Sequence, residues 1–460
     1  MSTSKIFEEL NPIFKPRSAA ILGASGKEGK VGRMFMDRFI ETGFEKIYPI
    51  NPGADEVLGF KAYPNVKDVP DEIDFALIVL PPKAVHQAVQ DCVDKGVKGI
   101  VINSAGFGEE GEEGEKKEQA LAKIARGGKT RIIGPNCIGI YCPESKLPYP
   151  MRPGKESGKV GVVSQSGSLA DHLTLIATKN GINFSKSVSC GNQCDLIAED
   201  FLEYLGDDPD TEVIIMYLEG AKDGQRLNQL CKKISKKKPI ILWKTGTSEA
   251  GARAAASHTG SLAGSAAVWE GVLDGAGVIS VKSLEEMLDT VYVFDKQPLP
   301  AGNRIAIITG PGGPAVGTTD TCIEMGLQVP RLSDETKAKL REVMPPVGTS
   351  VENPIDLSLA SVVTPKVYTD VIKVLGKDDN IDMIMVIGIG GDEFHKVMIE
   401  AADGLTKPLA TAIIMPLDSV LKDYKVMMKE GLPVYPDPRR AAKSLARMSA
   451  YADHLRSFNS

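Results

Sequence analysis

The 460-residue chain is poor in the residues that build metal sites and disulfides, with 5 histidines and 7 cysteines. An odd number of cysteines scattered over a long chain is typical of reduced thiols in a cytosolic protein. Cys190 and Cys194 are close in sequence, but no second pair follows at the spacing of a zinc site. The sequence therefore predicts free thiols and no bound metal.

An excess of positive charge and long apolar runs are also missing. The formal net charge of -6 argues against general nucleic-acid binding, which needs a basic surface. Apolar runs such as Val213–Leu218 have the length of a strand, and the first residues lack the apolar core and cleavage pattern of a signal peptide. We therefore expect a cytoplasmic protein that binds neither nucleic acid nor a membrane, although local sites could bind small anions.

The chain is too long for one hydrophobic core, and its length predicts roughly three domains. In the first of them, residues 1–145, short apolar strands alternate with helical stretches, which is typical of a doubly wound parallel sheet. A segment rich in proline and glycine, residues 143–158, ends this domain. The predicted strands are 18–22, 46–50, 75–80, 99–103 and 131–134.

A glycine-rich turn, Gly23-Ala24-Ser25-Gly26, follows the first strand and leads into a helix over residues 33–42. Glycines in such a turn let backbone N–H groups approach a phosphate at the helix N-terminus. The spacing departs from G-x-G-x-x-G, and the second strand ends in Asn51-Pro52, where a nicotinamide-binding fold usually has an acidic residue. An NAD-dependent oxidoreductase is therefore the less favoured alternative.

The later strands of this sheet end in loops of small or rigid residues. Ligands of such sheets bind beyond the carboxyl ends of the strands, so we expect these loops to line one crevice. The loops are Pro81-Pro82, Ser104-Ala105-Gly106-Phe107 and Pro135-Asn136-Cys137-Ile138-Gly139.

The rest of the chain contains an internal duplication. Residues 160–170 match residues 305–315 at a constant offset, and residues 206–220 match residues 376–390. The two copies predict two similar open α/β domains, which we place at residues 155–297 and 300–458.

The two copies differ at positions that could carry chemistry. The stretch 239–277 is 15 residues longer than the equivalent 408–431, and the extra residues contain or adjoin His258. His258 lies in a run of Ala, Gly, Ser and Thr, without the large apolar side chains that would fix it to a core. Glu219 ends an apolar strand where the other copy has Ile389, so the fold does not need a charge there.

Each copy also has a turn of small residues between a strand and a helix. Such turns offer backbone N–H groups and the positive end of the helix dipole to a phosphoryl group, although helix capping explains either turn alone. Their pairing favours phosphate binding by Ser164, Gln165, Ser166, Gly167 and Ser168 in one copy and by Gly310, Gly312 and Gly313 in the other.

His258 and Glu219 together indicate nucleophilic catalysis. Neutral imidazole is a competent nucleophile near pH 7, and a carboxylate on its second nitrogen would fix the tautomer and stabilise a phosphorylated ring. With two anion-binding helix ends, these residues predict a phosphohistidine carrier. The crevice of the first domain suggests that the phosphoryl group comes from, or goes to, an activated acyl compound.

As an ordered set, these motifs resemble one family along nearly the whole chain. The chain resembles the α subunits of the NDP-forming acyl-CoA synthetases, in particular the ADP-forming acetate–CoA ligases, which are related to succinyl-CoA synthetase. The motifs are Gly23-Ala24-Ser25, Ile50-Asn51-Pro52, Ser104-Ala105-Gly106-Phe107, Gly134-Pro135-Asn136-Cys137, Ser164-Gln165-Ser166-Gly167-Ser168 and Ser257-His258-Thr259-Gly260.

The resemblance implies a fold and a coenzyme A site. The fold is α/β, with a Rossmann-like CoA-binding domain followed by two flavodoxin-like doubly wound parallel-sheet domains. The first of these two would carry the phosphorylated His258. The residues expected to bind coenzyme A are Gly23, Ala24, Ser25, Gly26, Asn51, Pro52, Pro81, Pro82, Ser104, Ala105, Gly106, Phe107, Asn136 and Cys137.

The resemblance also implies a reaction. Acetyl-CoA or another acyl-CoA would react with phosphate to give acyl phosphate and CoA, His258 would take the phosphoryl group, and a swinging loop would deliver it to ADP. The ADP or ATP and Mg²⁺ are expected on an ATP-grasp β subunit in an α2β2 heterotetramer. A non-catalytic CoA-binding regulatory protein is the second alternative, which would explain the first domain but not His258 with Glu219.

Overall fold

The computed structural model describes residues 4–253, 269, 271, 273–310, 312–358, 360–391 and 394–459. The chain divides into two compact units, Met1–Lys282 and Ser283–Ser460. His258 lies outside the described residues.

The first unit opens with a parallel sheet flanked by helices. Its elements are α1 (Lys5–Phe14), β1 (Ala19–Leu22), α2 (Val31–Thr42), β2 (Ile47–Ile50), a hairpin of β3 (Glu56–Val57) and β4 (Phe60–Lys61), β5 (Phe75–Ile78), α3 (Pro82–Lys95), β6 (Gly99–Ile102), α4 (Glu112–Arg126) and β7 (Arg131–Ile133). The strand order is β2-β1-β5-β6-β7, all parallel. β1, β5 and β6 are apolar and buried along their whole length, as expected where helices cover both faces. The predicted sheet is confirmed, and each strand lies within its predicted range.

A second sheet of six strands completes this unit. Its elements are β8 (Gly139–Tyr141), β9 (Ser157–Ser164), α5 (Gly167–Lys179), β10 (Phe184–Ser189), α6 (Ala198–Asp207), β11 (Val213–Leu218), α7 (Gly224–Ile234), β12 (Ile240–Lys244) and β13 (Ile279–Val281). The order is β13-β12-β11-β9-β10-β8, with every neighbouring pair parallel except β10 and β8. β8 follows β7 in the chain but pairs with β10 of the second sheet.

Aromatic stacking ties the amino-terminal helix to the helices of the second sheet. The ring of Phe14 in α1 lies 4.4 Å from the ring of Tyr204 in α6, and Phe7 stacks on the same tyrosine at 5.2 Å. Phe14 and Tyr204 are fully buried. Because α1 directly precedes β1, this cluster helps to hold the two sheets in one unit.

The second unit contains one parallel sheet. Its elements are α8 (Leu284–Lys296), β14 (Ile305–Thr309), α9 (Gly312–Glu324), α10 (Asp334–Val343), β15 (Ile355–Asp356), α11 (Ala360–Val363), α12 (Lys366–Gly376), β16 (Met383–Gly388), α13 (Phe394–Ala402), β17 (Leu409–Ile413), α14 (Leu417–Lys429), β18 (Val434–Tyr435) and α15 (Pro438–Asn459). The strand order is β15-β14-β16-β17-β18. A two-bond ion pair at 2.7 Å joins Arg440 of α15 to Asp289 of α8. Among the helices described, none is long and apolar enough to cross a bilayer.

The strand registers confirm the internal duplication. Val160 pairs with Val213 in the second sheet, and the equivalent Ile305 pairs with Met383 in the third. If the antiparallel β8 is left out, the parallel strands of each sheet follow one order, in which the second strand in the chain is followed by the first, third, fourth and fifth. The two copies therefore share one topology, and differences between them can be compared position by position.

A buried ion pair in the first unit provides a test of the packing. The Lys186 ammonium lies 2.8 Å from the Asp208 carboxylate, and both side chains are 1% exposed. Replacing Lys186 by Met should lower the free energy of unfolding by about 3–5 kcal/mol, because Asp208 would stay buried without its cation. Lys159→Met is the control, since its ion pair with Glu212 is exposed and should contribute little. Urea unfolding followed by circular dichroism measures both, and equal midpoints for the two variants would contradict the assignment.

Candidate functional site

A cavity of about 590 Å³ lies at the carboxyl edge of the first sheet. The strand order changes direction between β1 and β5, and ligands of open α/β sheets bind at such a switch point. The loops after β1, β2, β5 and β6 all contribute to its wall. The lining residues are Gly23, Ala24, Ser25, Lys30, Val31, Gly32, Ile50, Asn51, Pro52, Val79, Leu80, Pro81, Pro82, Asn103, Ser104 and Ala105.

Two glycines bring α2 directly against the end of β1. Gly23 has a left-handed φ of 92°, and a Cβ on Gly32 would lie only 1.9 Å from the carbonyl oxygen of Gly23. No side chain caps the helix at Lys30. Because Lys30, Val31 and Gly32 line the cavity, a lysine and the positive end of the helix dipole are placed to bind an anionic phosphate. This arrangement fits the phosphate groups of coenzyme A.

Most residues predicted to bind coenzyme A line this cavity. Gly26, Gly106, Phe107, Asn136 and Cys137 are not part of its lining. Cys137 is buried, and burial raises the pKa of its thiol to about 12. Burial therefore favours the protonated thiol at neutral pH.

Backbone hydrogen bonds connect the cavity to the second sheet. The N–H of Asn136 donates to the carbonyl of Ser104 at 3.0 Å, and the N–H of Asn192 donates to the neighbouring Pro135 carbonyl at the same distance. Asn192 lies in the loop after β10, and in the same loop the N–H of Cys190 donates to the carbonyl of Ser164 at 2.9 Å. The loops beyond the two sheets thus form one hydrogen-bonded layer within a single unit.

Two carboxylates that the sequence did not reveal support the loop 104–107. Glu109 accepts the N–H of Gly106 at 2.5 Å, and the Asn192 amide donates to Glu109 at 2.5 Å and to Glu118 at 2.7 Å. Burial raises the pKa of Glu118. Burial also acts on Glu109, but hydrogen bonds from Gly106 and Asn192 outweigh it and lower the pKa. Among the described residues, no group of three or more His, Cys, Asp and Glu side chains could hold a metal ion.

The predicted phosphate turn lies at the switch point of the second sheet, between β9 and α5. Ser166 caps α5 by accepting the N–H of Leu169 at 3.3 Å, and its hydroxyl lies 3.3 Å from that of Ser168. Ser164 and Gln165 are buried, and the Ser164 hydroxyl donates to the Ser166 carbonyl at 2.8 Å. The part of the turn that is open to a ligand is therefore residues 166–168.

Glu219 lies directly beyond β11, beside this turn, and is 4% exposed. Its N–H and that of Gly220 both donate to the side-chain oxygen of Gln165. The Tyr217 hydroxyl donates to the Glu219 carboxylate at 3.5 Å. Gln165 therefore contacts the chain at Glu219 through its side chain and fixes the backbone there.

The third sheet has an equivalent turn at its own switch point. The N–H of Gly310 donates to the carbonyl of Ile387 at 3.0 Å, and α9 begins at Gly312. A Cβ on Gly310 would lie 2.8 Å from the hydroxyls of both Ser361 and Tyr368, so a larger residue does not fit. The helix begins with Gly312 and Gly313, so only backbone atoms are present at its start, where the dipole favours an anion.

Three family models match consecutive segments of the chain. They are the CoA binding domain over residues 17–143, the succinyl-CoA ligase like flavodoxin domain over 157–294 and the ligase-CoA domain over 305–412. The α subunit of acetate–CoA ligase [ADP-forming] II of Pyrococcus furiosus is 40% identical over 441 residues, which cover 94% of this chain and 96% of the relative. The chain belongs to the ADP-forming acetate–CoA ligase family.

Structures and longer members of the ADP-forming acetate–CoA ligase family agree with this assignment. The dinucleotide forming acetyl-coenzyme A synthetase 1 of Ca. Korarchaeum cryptofilum, solved in complex with phosphate and ADP, is 32% identical with a TM-score of 0.91, covering 98% of this chain and 99% of that one. Acetate–CoA ligase [ADP-forming] I of Archaeoglobus fulgidus is 35% identical over 96% of this chain, which spans 63% of the relative.

The predicted fold class and the assignment as an acid–thiol ligase are confirmed for this member of the ADP-forming acetate–CoA ligase family. The cavity lies in the CoA-binding segment, and Glu219 with the turn 166–168 lies in the succinyl-CoA ligase like segment. The findings favour the ligase over an NAD-dependent oxidoreductase or a CoA-binding regulator.

Two glycines, Gly32 in α2 and Gly26 in the turn before it, provide a direct test of the cavity. Gly32→Ala should weaken CoA binding by about 10- to 100-fold, because overpacking against the Gly23 carbonyl costs roughly 1–3 kcal/mol and displaces α2. Gly26→Ala is the control, since a Cβ there would have no atom within 4 Å. Isothermal titration with CoA measures both affinities. Equal losses in the two variants would show that the close contact of α2 with β1 does not form the site.

Proposed function

We propose that the chain is the α subunit of an ADP-forming acetyl-CoA synthetase and, with a partner, converts acetyl-CoA, ADP and phosphate to acetate, ATP and CoA. The observation that carries this proposal is the cavity of the first sheet and the Glu219 carboxylate in one unit, joined by hydrogen-bonded loops. An acyl-CoA bound in the cavity would extend along these loops toward the turn 166–168.

In the first step, an oxygen of phosphate attacks the carbonyl carbon of acetyl-CoA. The carbon–sulfur bond breaks, CoA leaves as a thiolate that takes up a proton, and acetyl phosphate forms. The end of α5 at Ser166 binds the phosphate, because the helix dipole and backbone N–H groups stabilise its negative charge. In the second unit, an equivalent helix end is assigned as a separate phosphate-binding site, formed by Gly310, Gly312 and Gly313.

In the second step, a ring nitrogen of His258 attacks the phosphorus of acetyl phosphate. The phosphorus–oxygen bond to acetate breaks, acetate leaves, and the phosphoryl group is on the histidine. Glu219 accepts the hydrogen bond of the other ring nitrogen and stabilises the cation that forms. After the loop that carries His258 has swung away, an oxygen of the terminal phosphate of ADP attacks the phosphorus, the nitrogen–phosphorus bond breaks, and ATP and the free imidazole are formed.

The nucleotide step requires a second subunit. This chain matches a Pyrococcus furiosus α subunit over almost its full length but only 63% of the longer Archaeoglobus fulgidus relative. The designation of two Pyrococcus furiosus relatives as α subunits supports a separate partner for the nucleotide step. We assign ADP, ATP and Mg²⁺ to an ATP-grasp β subunit in an α2β2 heterotetramer in the cytoplasm.

His258→Ala should abolish ATP formation and leave the affinity for CoA nearly unchanged, because the carrier lies outside the CoA-binding segment. His86→Ala is the matched control, since His86 is exposed on α3. ATP is measured with acetyl-CoA, phosphate, ADP and the nucleotide-binding subunit present, and CoA affinity is measured by calorimetry. Full turnover by the His258 variant would contradict the proposed reaction.

Glu219→Gln should lower the rate of phosphoenzyme formation by about 100-fold if the carboxylate acts as other orienting and acid–base groups do. Glu212→Gln is the control, because Glu212 precedes the same strand and forms an exposed ion pair with Lys159. Phosphoenzyme is measured after incubation with acetyl-CoA and radioactive phosphate. An unchanged rate in the Glu219 variant would make this carboxylate a structural group.

A further inference from the structure

The duplicated sheets differ in polarity at the carboxyl ends of two adjacent strands. In the second sheet, Leu218 pairs with Lys244, and in the third sheet the equivalent Gly388 pairs with Ile413. The fold therefore accepts an aliphatic side chain where the second sheet has a lysine. The same holds for the neighbouring positions of this edge, since Tyr217, Glu219 and Thr245 correspond to Ile387, Ile389 and Ile414.

Lys244 is buried, with 9% of its surface exposed, and its ammonium is held by the chain around Glu219. It donates to the backbone carbonyl of Glu219 at 2.8 Å and to that of Thr245, and it lies 5.0 Å from the ring centroid of Trp269. Burial lowers the pKa of Lys244, and the negative charge of Glu219 opposes this shift. A cation and a carboxylate are therefore neighbours in a site with little water.

The peptide units on both sides of Glu219 are fixed by side chains. Gln165 accepts the N–H of Glu219, and Lys244 donates to its carbonyl oxygen. These two hydrogen bonds hold the backbone from opposite ends of the residue. Gln165 and Lys244 thereby fix the backbone from which the Glu219 side chain extends. Neither has a polar counterpart in the third sheet, where the equivalent residues are Gly310 and Ile413.

A second lysine, which lies two residues before the same strand, has a structural role that can be compared with that of Lys244. Lys238, at the amino end of β12, donates to the carbonyls of Leu205 and Asp208 at 2.8 and 2.6 Å. Its counterpart in the third sheet, Lys407, donates to the equivalent carbonyls of Leu375 and Asp378 at 3.1 and 2.5 Å. Burial lowers the pKa of both lysines. The fold thus retains the lysine at the amino end in both copies, whereas the lysine at the carboxyl end occurs only beside Glu219.

We propose that Lys244 is a positioning residue of the phosphoryl-transfer site, which fixes the backbone at Glu219 and supplies a buried positive charge beside its carboxylate. This inference rests on the proposed function. A carboxylate close to a bound phosphoryl group is repelled by it, and a neighbouring ammonium offsets part of that repulsion. The fixed backbone keeps the carboxylate in the orientation that the imidazole of the phosphoryl acceptor requires.

Lys244→Met should slow phosphoenzyme formation by roughly 10- to 100-fold, the loss typical of groups that orient a ligand through a hydrogen bond. The full chain is incubated with its nucleotide-binding subunit, acetyl-CoA and radioactive phosphate, without nucleotide, and label is measured over time. CoA affinity should not change, because Lys244 does not line the cavity. Lys244→Ile is the second variant, which should fold because the equivalent position of the third sheet holds Ile413.

The control is Lys238→Met, which should lower the unfolding midpoint and leave the labelling rate of folded enzyme unchanged. A double-variant cycle separates positioning from bulk stability. If Lys244 acts through Glu219, the variant with both Glu219→Gln and Lys244→Met should be labelled no more slowly than Glu219→Gln alone. Losses that multiply would contradict the positioning role, as would normal labelling of both Lys244 variants. Absence of label in the unmodified enzyme would instead overturn the proposed function itself.

Discussion

The reversal of strand order in each parallel sheet is the constraint on which the candidate sites depend. Where two neighbouring strands send their connections to opposite faces, the loops diverge at the carboxyl edge and leave a crevice. The first sheet has its cavity there, and the second and third sheets have their turns at Ser166 and Gly312 there. The helices that follow β1, β9 and β14 begin at this edge, so their dipoles favour an anion in the crevice.

The strands and the duplication could be predicted from the sequence because both are local patterns. Apolar runs of strand length recur between turn residues, and a constant offset relates the two copies. Side-chain direction could not be predicted in this way. The sequence places Gln165 in a phosphate-binding turn, but it does not reveal that the Gln165 side chain contacts the backbone at Glu219. Asn192 bridges Glu109 and Glu118 across 83 and 74 positions of sequence, which no local pattern encodes.

Lys244 is a different case, since a signal for it was present in the sequence. Aligning the two copies through the strand ends places Lys244 against Ile413, just as it places Glu219 against Ile389. Burying polar groups costs free energy unless they are hydrogen-bonded, and the third sheet avoids that cost with aliphatic side chains. A polar group that only one of two equivalent sheets retains is therefore better explained by chemistry than by folding.

The central claim is that this chain carries the phosphoryl group on His258, and the direct test is to map the label on the nucleotide-free chain. The folded chain, shown to bind CoA, is incubated with acetyl-CoA and radioactive phosphate and then digested for mass spectrometry. The account predicts release of CoA and an acid-labile, base-stable label on His258, as expected for a phosphoramidate. A label on Ser166 or Ser168, or no label on the CoA-binding chain, would contradict it.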